Sequence, residues 1–201
     1  GLGYTPELVS IPLIRGGNSI LWGEGCRQTD GYARKKVDTP VKAEPKAPLP
    51  FGRVSANFTL QEMIKSQTAT RLGIDNNPTP EHVTSLRALC NNVLEPMRDH
   101  FKTPVIISSG YRSPFLCEEI GSSHTSQHCK GEAVDFEVVG SDNYQVARWI
   151  EANLEYDQLI LEHYTPGKPN SGWIHVSYIT GQNRKQALTF DGKHYSKGLS
   201  K

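Results

Sequence analysis

The chain contains no apolar run approaching the roughly 20 residues that a bilayer-spanning helix needs, which excludes membrane insertion by that route. It also lacks charge of one sign. A formal net charge of +1 over 201 residues gives no polyelectrolyte signal for nucleic acid. The N-terminal stretch GLGYTPELVSIPLIRGG has no basic start followed by a continuous apolar segment, so no secretory signal is expected and any export takes another route. The four cysteines (Cys26, Cys90, Cys117, Cys129) form no CxxC pair, which argues against a zinc knuckle or a redox motif. Their number does not by itself argue for disulfides, and Cys129 reads as a bystander thiol. Internal repeats and coiled-coil heptads are absent. With hydrophobic residues at 36% and charged residues at 21%, the composition is globular rather than disordered.

What is present divides near Pro50. Before it lie Gly-Gly, short apolar pieces and then VDTPVKAEPKAPLP, whose alternating prolines and lysines suit an extended linker. Residues 1–50 therefore read as an N-terminal arm and residues 51–201 as the folded domain. Thr59 and Glu62 form a capping box ahead of a helix from Leu60 to about Ser66. Thr79 and Pro80 open a longer helix whose apolar positions Val83, Leu86, Cys90, Val93, Met97 and Phe101 share one face, with Pro96 bending its last turn. Residues 104–108 read as a strand, Ser113-Pro114 as a helix start, AVDFEV as a strand, and Ser141 as the cap of a helix carrying Val146, Trp149 and Ile150. YDQLILEH and GWIHVSY are further strands, and a final hairpin turns at Asp191-Gly192. Helices grouped early and mostly adjacent strands later predict an α+β domain with a small antiparallel sheet and helices packed on one side.

The chemistry concentrates in Ser126-Gln-His128-Cys-Lys-Gly131-Glu-Ala133-Val-Asp135. Alternation places Val134, Phe136 and Val138 on one side of a strand and Asp135 on the other. A carboxylate in mid-strand needs a partner, which is an arginine, solvent or a metal ion. His128 alone reads equally well as a surface or capping histidine. In Trp173-Ile-His175-Val-Ser, however, alternation aims His175 away from the core side of Ile174 and Val176. Matching the core sides of Leu159 and Leu161 puts Ile160 and Glu162 on the face of His175. Two histidines and one carboxylate form a three-ligand set with an open fourth position, as in a hydrolytic zinc centre. Glu162 then stands beside the metal as a base.

Residues 55–178 resemble the M15 peptidase family, the D-alanyl-D-alanine carboxypeptidase and endolysin group, in its phage-type branch. The signature SxHxxGxAxD is met by Ser126, His128, Gly131, Ala133 and Asp135. Around it lie FTLQEMIKSQTATRLGID, ISSGYRSP, DQLILE and GWIHVSY. The resemblance implies a hedgehog/DD-peptidase-like fold, one zinc ion on His128, Asp135 and His175, and a peptidoglycan stem peptide as substrate. It also implies that Arg112, in SGYRSP, binds a substrate carboxylate or carbonyl. Read from the residues alone, Arg112 is either such a bidentate clamp or a salt bridge tying its loop to the domain. Ser126 either orients a ligand or substrate group or forms a turn, and Trp173 shares the substrate-facing side.

Two positions depart from the family pattern. Many members carry an acidic base three residues before the last histidine ligand, where this chain has Gly172. That role passes to Glu162, with Glu137 and Asp157 as substitutes. Cys117 stands where an asparagine is expected. His124 and His163 are taken as solvent-facing. The branch points to a phage lytic protein, either a free endolysin or a virion-borne enzyme docked through residues 1–50. The alternative from another class is a structural or wall-binding protein that keeps zinc as a staple.

Overall fold

The computed structural model describes residues 52–200; the N-terminal arm, residues 1–50, lies outside them. Helix α1 (Leu60–Ile64) starts at the anticipated capping box. The Glu62 N–H donates to Thr59 Oγ1 at 3.2 Å, and the Thr59 N–H donates to Glu62 Oε2 at 2.8 Å. Helix α2 (Gln67–Leu72) follows. Next come α3 (Pro80–Leu89), a π turn at Cys90–Leu94 and α4 (Glu95–Phe101), stacked as one long helix. The bend anticipated at Pro96 is taken up just before it. The Glu95 N–H reaches Cys90 O, five residues back, ahead of a proline whose ring lacks a donor and would crowd the carbonyl four residues earlier. Leu86, Cys90, Val93 and Met97 are fully buried, as their spacing predicts.

The remaining elements are β1 (Val105–Ser109), α5 (Pro114–Glu119), a 3-10 turn (Gln127–Lys130), β2 (Ala133–Val138), α6 (Asn143–Asn153), β3 (Gln158–Glu162), β4 (Trp173–Ser177), β5 (Gln186–Phe190) and β6 (Tyr195–Lys197). The cap of α6 is Asp142 rather than Ser141. Its Oδ1 accepts from the Tyr144 N–H at 2.9 Å, one residue later than the sequence pattern suggests. The domain is α+β, with a six-stranded sheet in the order β1-β2-β4-β3-β5-β6. Pairing is antiparallel throughout except between β3 and β5, which run parallel. Because β4 is antiparallel to β3, it ends beside the start of β3, and a short link from there delivers β5 in the direction of β3. Asp157 pins that link. It is fully buried and accepts from the Arg184 backbone N–H and guanidinium and from Gln127 Nε2.

One face of the sheet is the core. Val134, Phe136, Leu159, Leu161, Ile174 and Val176 pack there against Leu86, Leu94, Val146 and Ile150 of the helices. The opposite face carries the side chains at alternate positions, Asp135, His175 and Ile160, in one cross-strand row. No helix among the described residues is long and apolar enough to cross a membrane.

Candidate active site

The sheet register brings the three proposed ligands together. Asp135 and His175 are cross-strand partners on β2 and β4. His128 reaches the same point from the 3-10 turn that leads into β2. His175 Nδ1 lies 2.8 Å from Asp135 Oδ1. His128 Nε2 lies 3.3 Å from His175 Nδ1 and 3.3 Å from Asp135 Oδ1. Donor atoms about 2.0–2.1 Å from a tetrahedral zinc stand about 3.3 Å apart, so this triangle fits the ion on its donor chemistry and its edges. All three residues are buried, His128 to 3% exposure and the other two to 8%. Burial alone would raise the Asp135 carboxyl. The His128 charge and hydrogen bond, joined by His175, outweigh it and hold Asp135 ionised well below the usual carboxylate range. Burial pushes the His128 imidazole down, toward its neutral, ligating form.

Outer contacts fix these ligands. His128 Nδ1–H donates to Gly110 O at 2.7 Å, which leaves Nε2 free to ligate. Ser126 caps the 3-10 turn, with Oγ accepting from the His128 N–H at 3.3 Å. Gly131 closes that turn at φ +70, and a Cβ there would stand 2.4 Å from His82 O, which accounts for the signature glycine. Arg112 Nη2 donates to Asp135 Oδ2 at 2.7 Å and Arg112 Nε to Ser109 Oγ at 2.8 Å, leaving Nη1 without a partner among the described residues. A β-bulge between Ile107 and Ser109 sets Ser109 opposite Asp135, where it can receive Arg112. Asp135 therefore answers both readings of its sequence, with one oxygen toward the arginine and the other toward the two histidines.

These residues form the floor of an open cleft of about 630 Å³ that Arg112, Ser126, Glu162 and Trp173 also line. Glu162 stands diagonally from His175 across β3 and β4, on the same face. It takes part in no hydrogen bond or ion pair with a described residue. Burial first, then the Asp135 charge, raises its carboxyl above the ordinary glutamate value. Gly172 sits at φ +67, and a Cβ there would lie 1.8 Å from Glu162 O. No acidic side chain fits at that position, and its backbone instead packs on the strand that presents Glu162. Of the substitute bases, Asp157 is committed to Arg184, and Glu137 does not line the cleft.

The structure also holds features that the sequence pattern did not reveal. Cys117 and Cys129 are bonded, tying α5 to the turn beside His128. Spacing alone cannot assign such a pair, because partners in a disulfide are neighbours in space and not in sequence. Tyr195, on the outermost strand, lines the cleft, as do Lys130 and Arg184 at its other end. Burial and then the Glu162 charge raise the Tyr195 phenol. Only the β5–β6 register could have placed it. His124 is exposed and pairs with Glu118 at 3.2 Å, whereas His163, also exposed, packs on Trp173.

A phosphine reductant is expected to lower the melting temperature by on the order of 10 °C, from about 3 kcal/mol of loop-closure entropy for a ring of this size. Peptide mapping without reductant should recover Cys117 and Cys129 in one linked species. Separate, alkylatable peptides would exclude the bond.

The sequence profile of the family described as Peptidase M15 matches residues 56–177, more than half of the chain. The chain belongs to the M15 peptidase family. A comparison with curated proteins returned no match. The match spans the Arg112 segment, all three proposed ligands and Glu162, and M15 peptidases are zinc-dependent metallopeptidases. Membership thus agrees with the zinc chemistry that the donor triangle fits.

Proposed function

We propose that this M15 peptidase hydrolyses an amide bond of the bacterial cell-wall stem peptide with Glu162 as its proton carrier. The observation that carries the reading is a half-buried carboxylate without a partner, held on the same cleft face as a three-donor triangle. An unpaired acid of raised pKa in a cleft is suited to general base work. A zinc ion on His128, Asp135 and His175 supplies Lewis acidity toward water and the scissile carbonyl.

The protein's own groups do the rest. A Glu162 Oε atom takes the proton of the attacking water and returns it to the leaving amine. Arg112, anchored through Nη2 and Nε, directs Nη1 at the developing oxyanion or at a substrate carboxylate. Ser126 holds the His128 turn, and Trp173 bounds the peptide on the Glu162 side. Among the proposed settings is a phage lytic enzyme, supported by the branch resemblance, in which residues 1–50 dock the protein on a virion or the enzyme acts free. Co-sedimentation of the chain with phage particles distinguishes these modes.

Digestion of purified peptidoglycan tests the reading. Zinc-loaded protein should release peptide fragments whose masses name the bond, chelation should stop release, and added zinc should restore it. No release by zinc-loaded protein would leave the wall-binding alternative.

A further inference from the structure

Beside Glu162 the cleft wall is built from rings. The Trp173 and His163 rings lie 4.9 Å apart at 35°. His163 meets Phe190 edge-on at 5.4 Å, and Phe190 stacks on Tyr195 at 4.4 Å and 25°. Register explains the order. Trp173 pairs with Glu162, Glu162 with Phe190, and Phe190 with Tyr195, so the row crosses β4, β3, β5 and β6 on the face of the ligands. Three strand spacings make it about 14 Å long.

His163 joins the row by backbone geometry. Strand alternation would send its side chain to the core face, but its φ of 54 turns it from that course. Its N–H still donates to Phe190 O at 2.8 Å. Gly192 makes room, since a Cβ there would lie 2.9 Å from His163 Cε1.

The rings are not spent on the core. Tyr195 is 60% exposed, His163 is exposed, and Trp173 and Phe190 are only partly covered. Trp173 and Tyr195 line the cleft directly, so the row continues the peptide-binding surface to the sheet edge. Apart from Arg112 beside Asp135, the lysine and arginine that line the cleft are Lys130 and Arg184, at the opposite end beside the start of β3. An open aromatic surface edged by a phenol and a carboxylate suits an uncharged ring with apolar C–H faces and a rim of hydroxyls and amides.

We propose that Trp173, His163, Phe190 and Tyr195 form a platform on which the N-acetylated sugar rings of the wall's glycan strand stack while the attached peptide enters the cleft. The proposal rests on the peptidoglycan reading above and names a second part of that substrate. Sugar at the aromatic end lays the peptide across His175 toward Lys130, whose charge suits its carboxylates.

Glycan strands stripped of their peptides, titrated into the full-length zinc-loaded protein by calorimetry, test the platform without any hydrolysis. Saturable binding is expected, weakened about tenfold by Tyr195→Ala, the loss of one stacking partner, and kept within about twofold by Tyr195→Phe. Because Tyr195 is largely exposed, the alanine variant should fold, and its melting curve verifies this. On the wild type, NMR shifts of Trp173, His163, Phe190 and Tyr195 should move with the titration. No saturable binding, equal affinity for Tyr195→Ala, or shifts confined to other residues would overturn the platform. The two readings fail separately. Glycan binding without peptide release would sink the peptidase reading alone, and release without glycan binding would sink the platform alone.

Discussion

Glu162→Gln is expected to lower kcat/KM for peptidoglycan cleavage by about 100- to 10,000-fold while the chain still binds one zinc ion. The range is what a positioned proton carrier contributes, and the amide keeps the size of the side chain while removing its basicity. Retention of zinc follows because Glu162 is not one of the three clustered donors. Metal content measured beside activity therefore separates loss of the base from loss of the site. A variant that cuts as well as wild type would remove Glu162 from the mechanism. The substitution carries a second expectation of opposite sign. Burial and the Asp135 charge raise the Glu162 carboxyl in the folded state, so folding favours its protonated form. The stability associated with that form is present below the ordinary glutamate pKa and is lost as pH rises through the raised value. In metal-free protein near pH 7, Glu162→Gln should thus melt higher than wild type, with the difference fading in acid. A lower melting temperature across that range would mean that Glu162 has a structural partner.

Asp135→Asn is expected to abolish both zinc retention and cleavage. Outer-shell partners of a metal typically contribute 10- to 100-fold in affinity, so loss of an ionised ligand should weaken zinc by more than about 100-fold. Activity should fall on the order of 1,000-fold or more, the several kcal/mol that Lewis acid stabilisation supplies. The fold should suffer as well. Asp135 Oδ2 is the ion-pair partner of Arg112, and its Oδ1 faces both histidines. Removing the charge leaves Arg112 largely buried and uncompensated, at about 3 kcal/mol. Metal analysis, peptidoglycan turnover and a melting curve on one preparation read all three effects. A variant that still binds one zinc and cuts would show that the donor triangle is not the metal centre.

The sequence alone determined whatever depends on local chemistry and on period. The capping box at Thr59 and Glu62, the Thr79-Pro80 helix start and the buried face from Leu86 to Met97 follow from short-range rules and appear where those rules place them. The clustering of the candidate donors was legible for a related reason. Alternation has a period of two, so once Val134, Phe136, Ile174 and Val176 are assigned to the core, Asp135 and His175 must share the other face, and Glu162 with them. Motif spacing supplied His128.

What tertiary structure decided is contact between segments whose pairing no local pattern encodes. The parallel β3–β5 pairing depends on where β4 ends, and through it the Asp157 carboxylate comes to pin the link by accepting from Arg184. Gly172 looked like a missing acid, and only the approach of Glu162 O shows that the position admits no side chain. The Cys117–Cys129 bond joins residues twelve apart by bringing α5 against the His128 turn. Tyr195 and Phe190 reach the cleft wall through the register of the last hairpin, and His163 joins them through a single positive φ. Each of these is a meeting in space of groups distant in the chain, fixed by packing and strand register and therefore invisible to periodicity.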